Sequence, residues 1–220
     1  MMRRAYYPLF ADLAGRRCLV VGGGAIAQRK VLQLLRCGAT VTVISPAVTR
    51  HLAGLAQARR IRLIGRGFSP TDLRGVWLAI AATNDQRVNE AVARAASSKR
   101  IFANIVDEPA LCSFIAPAIV RRGGITVAVS TGGASPSIAK RIRTEVGHLL
   151  DRRYAPLLRL AAALRPVAKR ILPTYQARKR YFDRLLRSPI AARAVNGNHV
   201  ETKRRALAML ARAARHHGAN

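Results

Sequence analysis

Hydrophobic positions along the first hundred residues follow two rhythms that take turns. Short continuous apolar runs read as strands at Cys18–Val21, Thr40–Ile44, Ile61–Ile64, Val76–Ala82 and Arg100–Asn104. Between them lie stretches of helical spacing: Ala25–Cys37, with Ile26, Val31, Leu34 and Leu35 on one side, then His51–Ala58 and Gln86–Ser97. The run VWLAIAA has no polar alternation, which suits a central parallel strand covered on both faces. The segment GRGFSPTDLRG is punctuated by Gly and Pro and reads as a loop. Strand and helix alternating in this way predict an α/β fold with a Rossmann-like, doubly wound parallel sheet.

The rhythm changes after residue 104. Phe114–Val120 and Ile125–Ser130 are β-prone and separated by Arg121-Arg122-Gly123-Gly124, the pattern of a hairpin. A hairpin leaves edges on which a second subunit can pair. Next comes STGGASPS, in which Ser135 is placed to cap a helix Ser137–Leu150 and Pro136 to open it. This segment reads equally well as an anion cradle or as an ordinary capped helix start. From Asp151 strands vanish. Leu157, Leu160, Leu164, Val167 and Ile171 recur at spacings of three and four, predicting a helix that Pro166 should bend, and apolar groups around Tyr181 and Leu207 predict two more. The expected division is 1–113 for the sheet domain, 114–148 for a β-hairpin/helix dimerisation region and 149–220 for a small helical domain.

Length and charge narrow the function. A chain of 220 residues, half of them hydrophobic, builds one or two domains with a core. Its apolar runs are too short to span a bilayer, and MMRRAYYPLFADLAGRR lacks the apolar stretch of a leader, so a cytoplasmic protein is expected with no membrane partner. Cys18, Cys37 and Cys112 are odd in number and widely spaced in apolar surroundings, which argues for reduced core thiols rather than a disulfide or zinc framework. The net charge of +29 calls for an anionic partner, and 17 of the 39 basic residues but 3 of the 10 acidic ones fall in 151–220. Nucleic acid is the common partner of such a balance, yet no zinc-finger or RNP-like motif accompanies it. Nucleic acid is therefore not expected as the primary partner.

The chemistry-bearing residues are few. In VVGGGAIAQRK, Gly22-x-Gly24-x-x-Ala27 follows a strand and opens a helix, the dinucleotide fingerprint in which a phosphate meets exposed amides and the positive end of the helix dipole. The same glycines also suit plain packing of helix on strand. A dinucleotide site of this kind commonly has an acid for the adenosine ribose at the end of the second strand, but Ile44-Ser45-Pro46-Ala47 supplies none. With Arg50 nearby, NAD and NADP both remain open on these residues. Of the carboxylates, Asp12, Asp72 and Asp85 read as turn or cap residues, and Glu90, Glu145 and Glu201 lie on predicted helices. Asp107 and Glu108 stand just past the carboxyl end of a predicted strand, where ligands bind in open α/β sheets. Amid Ile105, Val106 and Leu111, Asp107 is a candidate general base with a raised pKa, or else a cap before Pro109. The five histidines show no metal-ligand spacing, so no protein metal site is expected.

Four stretches, YYPLFADLAGRRCLVVGGGAIAQRK, GVWLAIAATNDQRVNEAVARAA, IFANIVDEPALCSFIAPAIV and ITVAVSTGGASPSIAKRIR, together resemble the siroheme synthase N-terminal module family, precorrin-2 dehydrogenase and sirohydrochlorin ferrochelatase, in its stand-alone form. RKRYFDRLL is similar to the family's helical domain. The resemblance implies a homodimer that uses NAD to oxidise precorrin-2 to sirohydrochlorin, with Fe2+ as substrate of a following insertion step. It implies cofactor-binding roles for Gly22, Gly23, Gly24, Ala25, Ile26, Pro46, Ala47 and Thr83, and a catalytic role for Asp107. Asn104, Ser113, Ser130, Thr131 and Gly132 are the implied substrate-binding residues. A carboxylate-rich tetrapyrrole also suits the cationic excess. Two alternatives stand beside this: a dehydrogenase without chelatase activity, and a Rossmann ligand sensor whose basic tail grips nucleic acid.

Overall fold

A computed structural model describes residues 5–150, 154–195 and 199–215. Two compact units are present, one of Met1–Ala116 with Gly132–Ala134, the other of Pro117–Thr131 with Ser135–Asn220.

The first unit carries five parallel strands, β1 (Arg17–Val21), β2 (Thr40–Ile44), β3 (Arg62–Ile64), β4 (Leu78–Ala81) and β5 (Phe102–Ile105), in the order β3-β2-β1-β4-β5. Helices α1 (Ala25–Arg36), α2 (Arg50–Gln57) and α3 (Gln86–Ser98) connect them. Chain order runs outward from β1 to β3, then crosses back to β4, so the switch point lies between β1 and β4. In open α/β sheets the ligand crevice sits there, at the carboxyl ends of the strands.

Strand periodicity divides the core between the two faces. Cys18 and Val20 of β1 pack with Val41, Val43, Leu78 and Ile80 beneath Ala27, Val31 and Leu34 of α1 and Leu52 of α2. Leu19 and Val21 turn the other way and join Ala79, Ala81, Ala103 and Ile105 beneath Val92, Ala93 and Ala96 of α3. Alanines on both sides of that second layer remove the bulk that would hold helix and sheet apart.

The outer edge of β5 is covered by its own chain. Ser113 donates its amide to the Ala103 carbonyl at 2.9 Å, and its Oγ accepts from the Ala103 amide at 2.7 Å. Cys112 Sγ accepts from the Ile105 amide at 3.2 Å. Side-chain atoms thus occupy ladder positions that a further strand would take.

In the second unit β6 (Ala118–Arg122) and β7 (Ile125–Val129) form an antiparallel hairpin on which α4 (Pro136–Leu149) packs, burying Ala139. The strand β6 keeps Arg121 and Arg122, which had been expected in the turn. The turn is Gly123-Gly124 alone, with φ of +54° and +91°, the double left-handed geometry that continues the strand twist. Helices α5 (Tyr154–Ile171), α6 (Tyr175–Leu186), α7 (Pro189–Val195) and α8 (His199–Arg215) follow, sharing a core of Leu164, Ala168, Tyr181, Leu185, Ala206 and Leu210. Pro166 lies inside α5, which continues through it. The short α7 has no apolar period long enough to announce itself in the sequence.

The compact units divide the chain differently from 1–113, 114–148 and 149–220. A Cβ on Gly123 would strike Ala155 at the start of α5, and one on Gly124 would lie 2.9 Å from Leu158, so hairpin tip and helix are packed together. The reading of three core thiols is corrected at one of them. Cys18 and Cys112 are buried, but Cys37 is exposed because it closes α1 at its C-terminal end.

The predicted caps are present. Asp12 accepts from the Ala14 amide at 3.0 Å, and Asp85 accepts from the Arg87 and Val88 amides at the start of α3. In the loop before β4, a 3-10 turn at Pro70–Leu73 carries a capping box of Ser69 and Asp72. Asp72 also pairs with Arg66, whose hydrogen bonds hold the carboxyl below the ordinary range.

Candidate functional site

The glycine loop joins β1 to α1, and its three glycines do different work. Gly22 has φ of +117°, and any Cβ there would strike the Ala82 carbonyl at the end of β4. On Gly23 a Cβ would overlap the Ala47 carbonyl and come within 2.8 Å of Ser45 Oγ. These two positions are glycine because neighbouring backbone leaves no room. Gly24 is exposed, and a Cβ there would meet nothing within 4 Å. It caps α1 with no side-chain hydrogen bond, leaving the first amides of the helix open, the donors of Ala25 and Ile26 included. Open space, free amides and the helix dipole converge at one point, which fits the pyrophosphate of a dinucleotide. Of the two readings of the loop, packing accounts for Gly22 and Gly23 but gives no reason for a glycine at position 24.

Pro46 and Ala47 are exposed just past β2. Ser45 is buried and donates its hydroxyl to the Ala47 carbonyl at 2.6 Å, which fixes the bend. Thr83 follows β4 and is likewise half-spent on structure, since its hydroxyl bonds Asp85 and Asn89 and its carbonyl accepts from Asn89 Nδ2 at 3.1 Å. Its remaining surface lies above the switch point.

Asp107 occupies the turn that ends β5. The Glu108 amide bonds the Ile105 carbonyl at 3.2 Å, which places Asp107 at the third position of the turn, and its φ is +62°. Among the described residues three non-glycines have positive φ. Arg59 and Arg100 terminate α2 and α3, where left-handed residues are the usual stop. Asp107 has no helix to stop. Its carboxylate accepts no hydrogen bond among the described residues, so the capping alternative is not taken up. The apolar enclosure expected around it is also absent: Ile105 is buried in the sheet, while Asp107 is exposed at the mouth of the crevice. What the structure presents is an accessible carboxylate in a left-handed turn.

Asn104 is buried one strand position before the turn, its amide donating to the Phe114 carbonyl at 3.1 Å and lying 3.6 Å from Cys112 Sγ. Ser113 is exposed, but its hydroxyl is engaged with Ala103. Both hold the wall beside Asp107. In the second unit, Ser130 is exposed after β7, and Thr131 Oγ1 accepts from the Ser135 amide at 3.1 Å. Gly132 and Gly133 have φ of +63° and +85°. Ser135 Oγ caps α4 through the Ile138 amide, as the sequence indicated.

Lys30 was not anticipated. It sits half-buried on the face of α1 that carries Ala27, Val31 and Leu34, and it interacts electrostatically with Asp107 and Cys112. Burial, followed by repulsion from Arg29, lowers its pKa, and Cys112 and Asp107 pull the other way. The available signal was a lysine inside an apolar stripe.

A glycine loop with an open helix start at the switch point of a parallel sheet defines a Rossmann-type dinucleotide-binding protein. Residues 9–118 match a family model described as putative NAD(P)-binding, 122–148 the sirohaem biosynthesis protein central region, and 153–210 the sirohaem synthase dimerisation region. The chain belongs to the siroheme synthase N-terminal module family. It is 44% identical over 199 residues to siroheme synthase of Methylococcus capsulatus, covering 90% of this chain and 42% of that protein. The corresponding figures for Methylobacillus flagellatus are 41% over 213 residues, 96% and 45%. The chain thus spans less than half the length of these curated relatives. A solved structure of SirC, a precorrin-2 dehydrogenase, matches with a TM-score of 0.73 and 26% identity, covering 94% of this chain and all of that one. The description as a dimerisation region falls on 153–210, whereas the sequence pattern had suggested that role for 114–148. No helix among the described residues is long and apolar enough to cross a membrane.

Proposed function

We propose that this chain oxidises precorrin-2 to sirohydrochlorin with NAD as acceptor and then inserts ferrous ion to give siroheme, acting as a cytoplasmic homodimer. The observation that carries the reading is Asp107: an accessible carboxylate held in a left-handed turn at the carboxyl end of β5, in the same unit as the open glycine loop. The likeness to a precorrin-2 dehydrogenase and to siroheme synthases supports the choice of substrate.

Bound NAD would supply a hydride acceptor. Gly24, with the amides of Ala25 and Ile26, would hold its pyrophosphate, while Pro46, Ala47 and Thr83 border the remainder of the dinucleotide. Oxidation of the ring also releases a proton, which the Asp107 carboxylate is placed to accept, since no donor among the described residues occupies it. Entry of Fe2+, a substrate here, displaces pyrrole N–H protons, and the same carboxylate serves them. Asn104 and Ser113 shape the wall beside Asp107. Ser130, Thr131 and Gly132 form a loop for the tetrapyrrole. For the dimer, the support is the match over 153–210 together with exposed Ile138, Ile142 and Leu149 along α4.

The test is anaerobic incubation with precorrin-2 and NAD, followed by ferrous ion, with absorbance recorded throughout. NADH formation followed by the siroheme spectrum is the expected course. NADH formation with iron insertion no faster than without protein leaves a dehydrogenase alone, and no NADH at all refutes the proposal.

A further inference from the structure

A left-handed backbone costs an L-residue free energy, so the turn that carries Asp107 has to be fixed by contacts from outside it. On the sheet side the Val106 amide donates to the Ala81 carbonyl at the end of β4, at 2.9 Å. On the other side the chain makes one 3-10 turn, Pro109–Leu111, and brings Cys112 back against the residues it has just left. Cys112 is buried, and its Sγ reaches both ends of the Asp107 turn. The Ile105 amide donates to the sulfur at 3.2 Å, and the thiol lies 3.2 Å from the Ile105 carbonyl and 3.4 Å from that of Glu108, either of which can take its proton. Asn104 Nδ2 lies 3.6 Å from the same sulfur while donating to the Phe114 carbonyl. Ile105 is the first residue of the turn and Glu108 the fourth, closed by the Glu108 amide on the Ile105 carbonyl. One atom therefore spans the pair between which Asp107 is held. The other buried thiol, Cys18, packs in the apolar cluster of β1 in the ordinary way of a buried cysteine.

Resting on the function proposed above, we infer that Cys112 is a positioning residue for Asp107: by bonding Ile105 and Glu108 together, its thiol fixes the left-handed turn and with it the place of the carboxylate. The physical reason is the narrow tolerance of proton transfer, which needs donor and acceptor within hydrogen-bond reach. A displacement of about 1 Å at the reacting group costs up to about a hundredfold in rate. A buried sulfur offers substrate and dinucleotide no contact surface, so its removal acts on the chemical step and spares binding.

The experiment compares Cys112→Ala and Cys112→Ser with the wild-type chain by thermal melt, NAD affinity, and kcat and KM for precorrin-2 oxidation. Expressing kcat per NAD-binding site keeps unfolded protein out of the comparison. Alanine removes the bonds of the sulfur, and serine keeps a donor and an acceptor in its place. The expected result for Cys112→Ala is a loss of about tenfold or more in kcat, with KM and NAD affinity within about threefold of wild type. Cys112→Ser should recover kcat to within about threefold of wild type, because its hydroxyl can make the same bonds. If the sulfur only filled the core, alanine would be tolerated at least as well as serine, whose hydroxyl is the costlier group to bury, and that order overturns the inference. An unchanged kcat in Cys112→Ala also overturns it, as does a loss confined to KM or NAD affinity. Where Cys112→Ala does not fold, serine decides: near-wild-type kcat supports the inference, and a loss of about tenfold in a variant that melts like wild type overturns it. Asp107→Asn separates the two levels. In its residual turnover, adding Cys112→Ala should change the rate by less than about twofold, since a residue that acts through Asp107 has nothing left to position. A full further loss there would place the effect of the sulfur elsewhere, whereas Asp107→Asn turning over like wild type would refute the underlying function.

Discussion

At the scale of single residues, the glycine loop offers a direct division between packing and binding. Gly23→Ala forces a methyl into the Ala47 carbonyl and should destabilise the fold by roughly 2 kcal/mol or more, as overpacking does. Gly24→Ala meets open space at an ordinary φ of −79° and should cost only about 0.5–1 kcal/mol, as alanine is a poorer N-cap than glycine. Its methyl would instead stand where the phosphate belongs, and NAD affinity should fall by about tenfold or more, which is about 1.4 kcal/mol. Thermal melts with and without NAD check both. Equal stability losses at the two positions would show that the loop serves packing alone.

Asp107 can be treated in the same way. A non-glycine at φ +62° costs about 1 kcal/mol, so Asp107→Gly should leave the protein as stable or slightly more stable while abolishing oxidation. Denaturant unfolding beside a turnover assay measures the trade. The sequence placed Asp107 correctly after a strand, but its exposure and its left-handed turn could not be read there. Those depend on how the 112–114 segment folds back over β5, a contact set by Ser113 and Cys112 atoms rather than by hydrophobic period.

Elements show where pattern suffices and where it does not. The strands of the sheet and the helices α1, α2 and α3 follow directly from alternation of runs and periodic stretches, because each buries a face and must keep its spacing. The cover on β5 does not follow from any period. It relies on side-chain atoms in ladder positions, so Ser113→Ala should cost about 1–2 kcal/mol by leaving the Ala103 amide unpaired. Hydrogen exchange should locate the loss at β5, and unchanged protection there would contradict the assignment.

In the helical segment, Tyr181 is buried and donates to the Ala206 carbonyl at 2.9 Å, and burial pushes its phenol from 10.0 up to about 12. A raised pKa in the folded state stabilises fully below the unfolded value and is lost as pH rises through the folded one. Stability should therefore decline between pH 10 and about 12, and Tyr181→Phe should flatten that decline. An identical slope in the variant would assign the alkaline loss elsewhere. The hairpin turn illustrates the limits of local reading. Four residues looked available for the turn, yet Gly123-Gly124 suffices because both accept positive φ, freeing Arg121 and Arg122 to extend β6.

For the molecule as a whole, a net charge of +29 asks for an anionic ligand, and the carboxylate-rich tetrapyrrole proposed here meets that demand without nucleic acid. Composition could name the sign of the partner but not its kind. The order of motifs along the chain did more, since a glycine loop, an acid after β5 and a glycine-rich cap before α4 each carry a positional requirement. A homodimer in solution is expected, and sedimentation should find twice the chain mass of 23.9 kDa. Replacing Ile142 or Leu149 by Asp should shift that equilibrium toward monomer, and unaltered sedimentation would place the interface away from α4.

The most direct measurement pairs NAD binding with NADH formation from precorrin-2 in Asp107→Asn, a variant that preserves the left-handed turn. NAD affinity within about threefold of wild type, together with a loss of at least about a hundredfold in kcat, is the expected outcome. Wild-type turnover in that variant would contradict the role given to Asp107 and the function built on it.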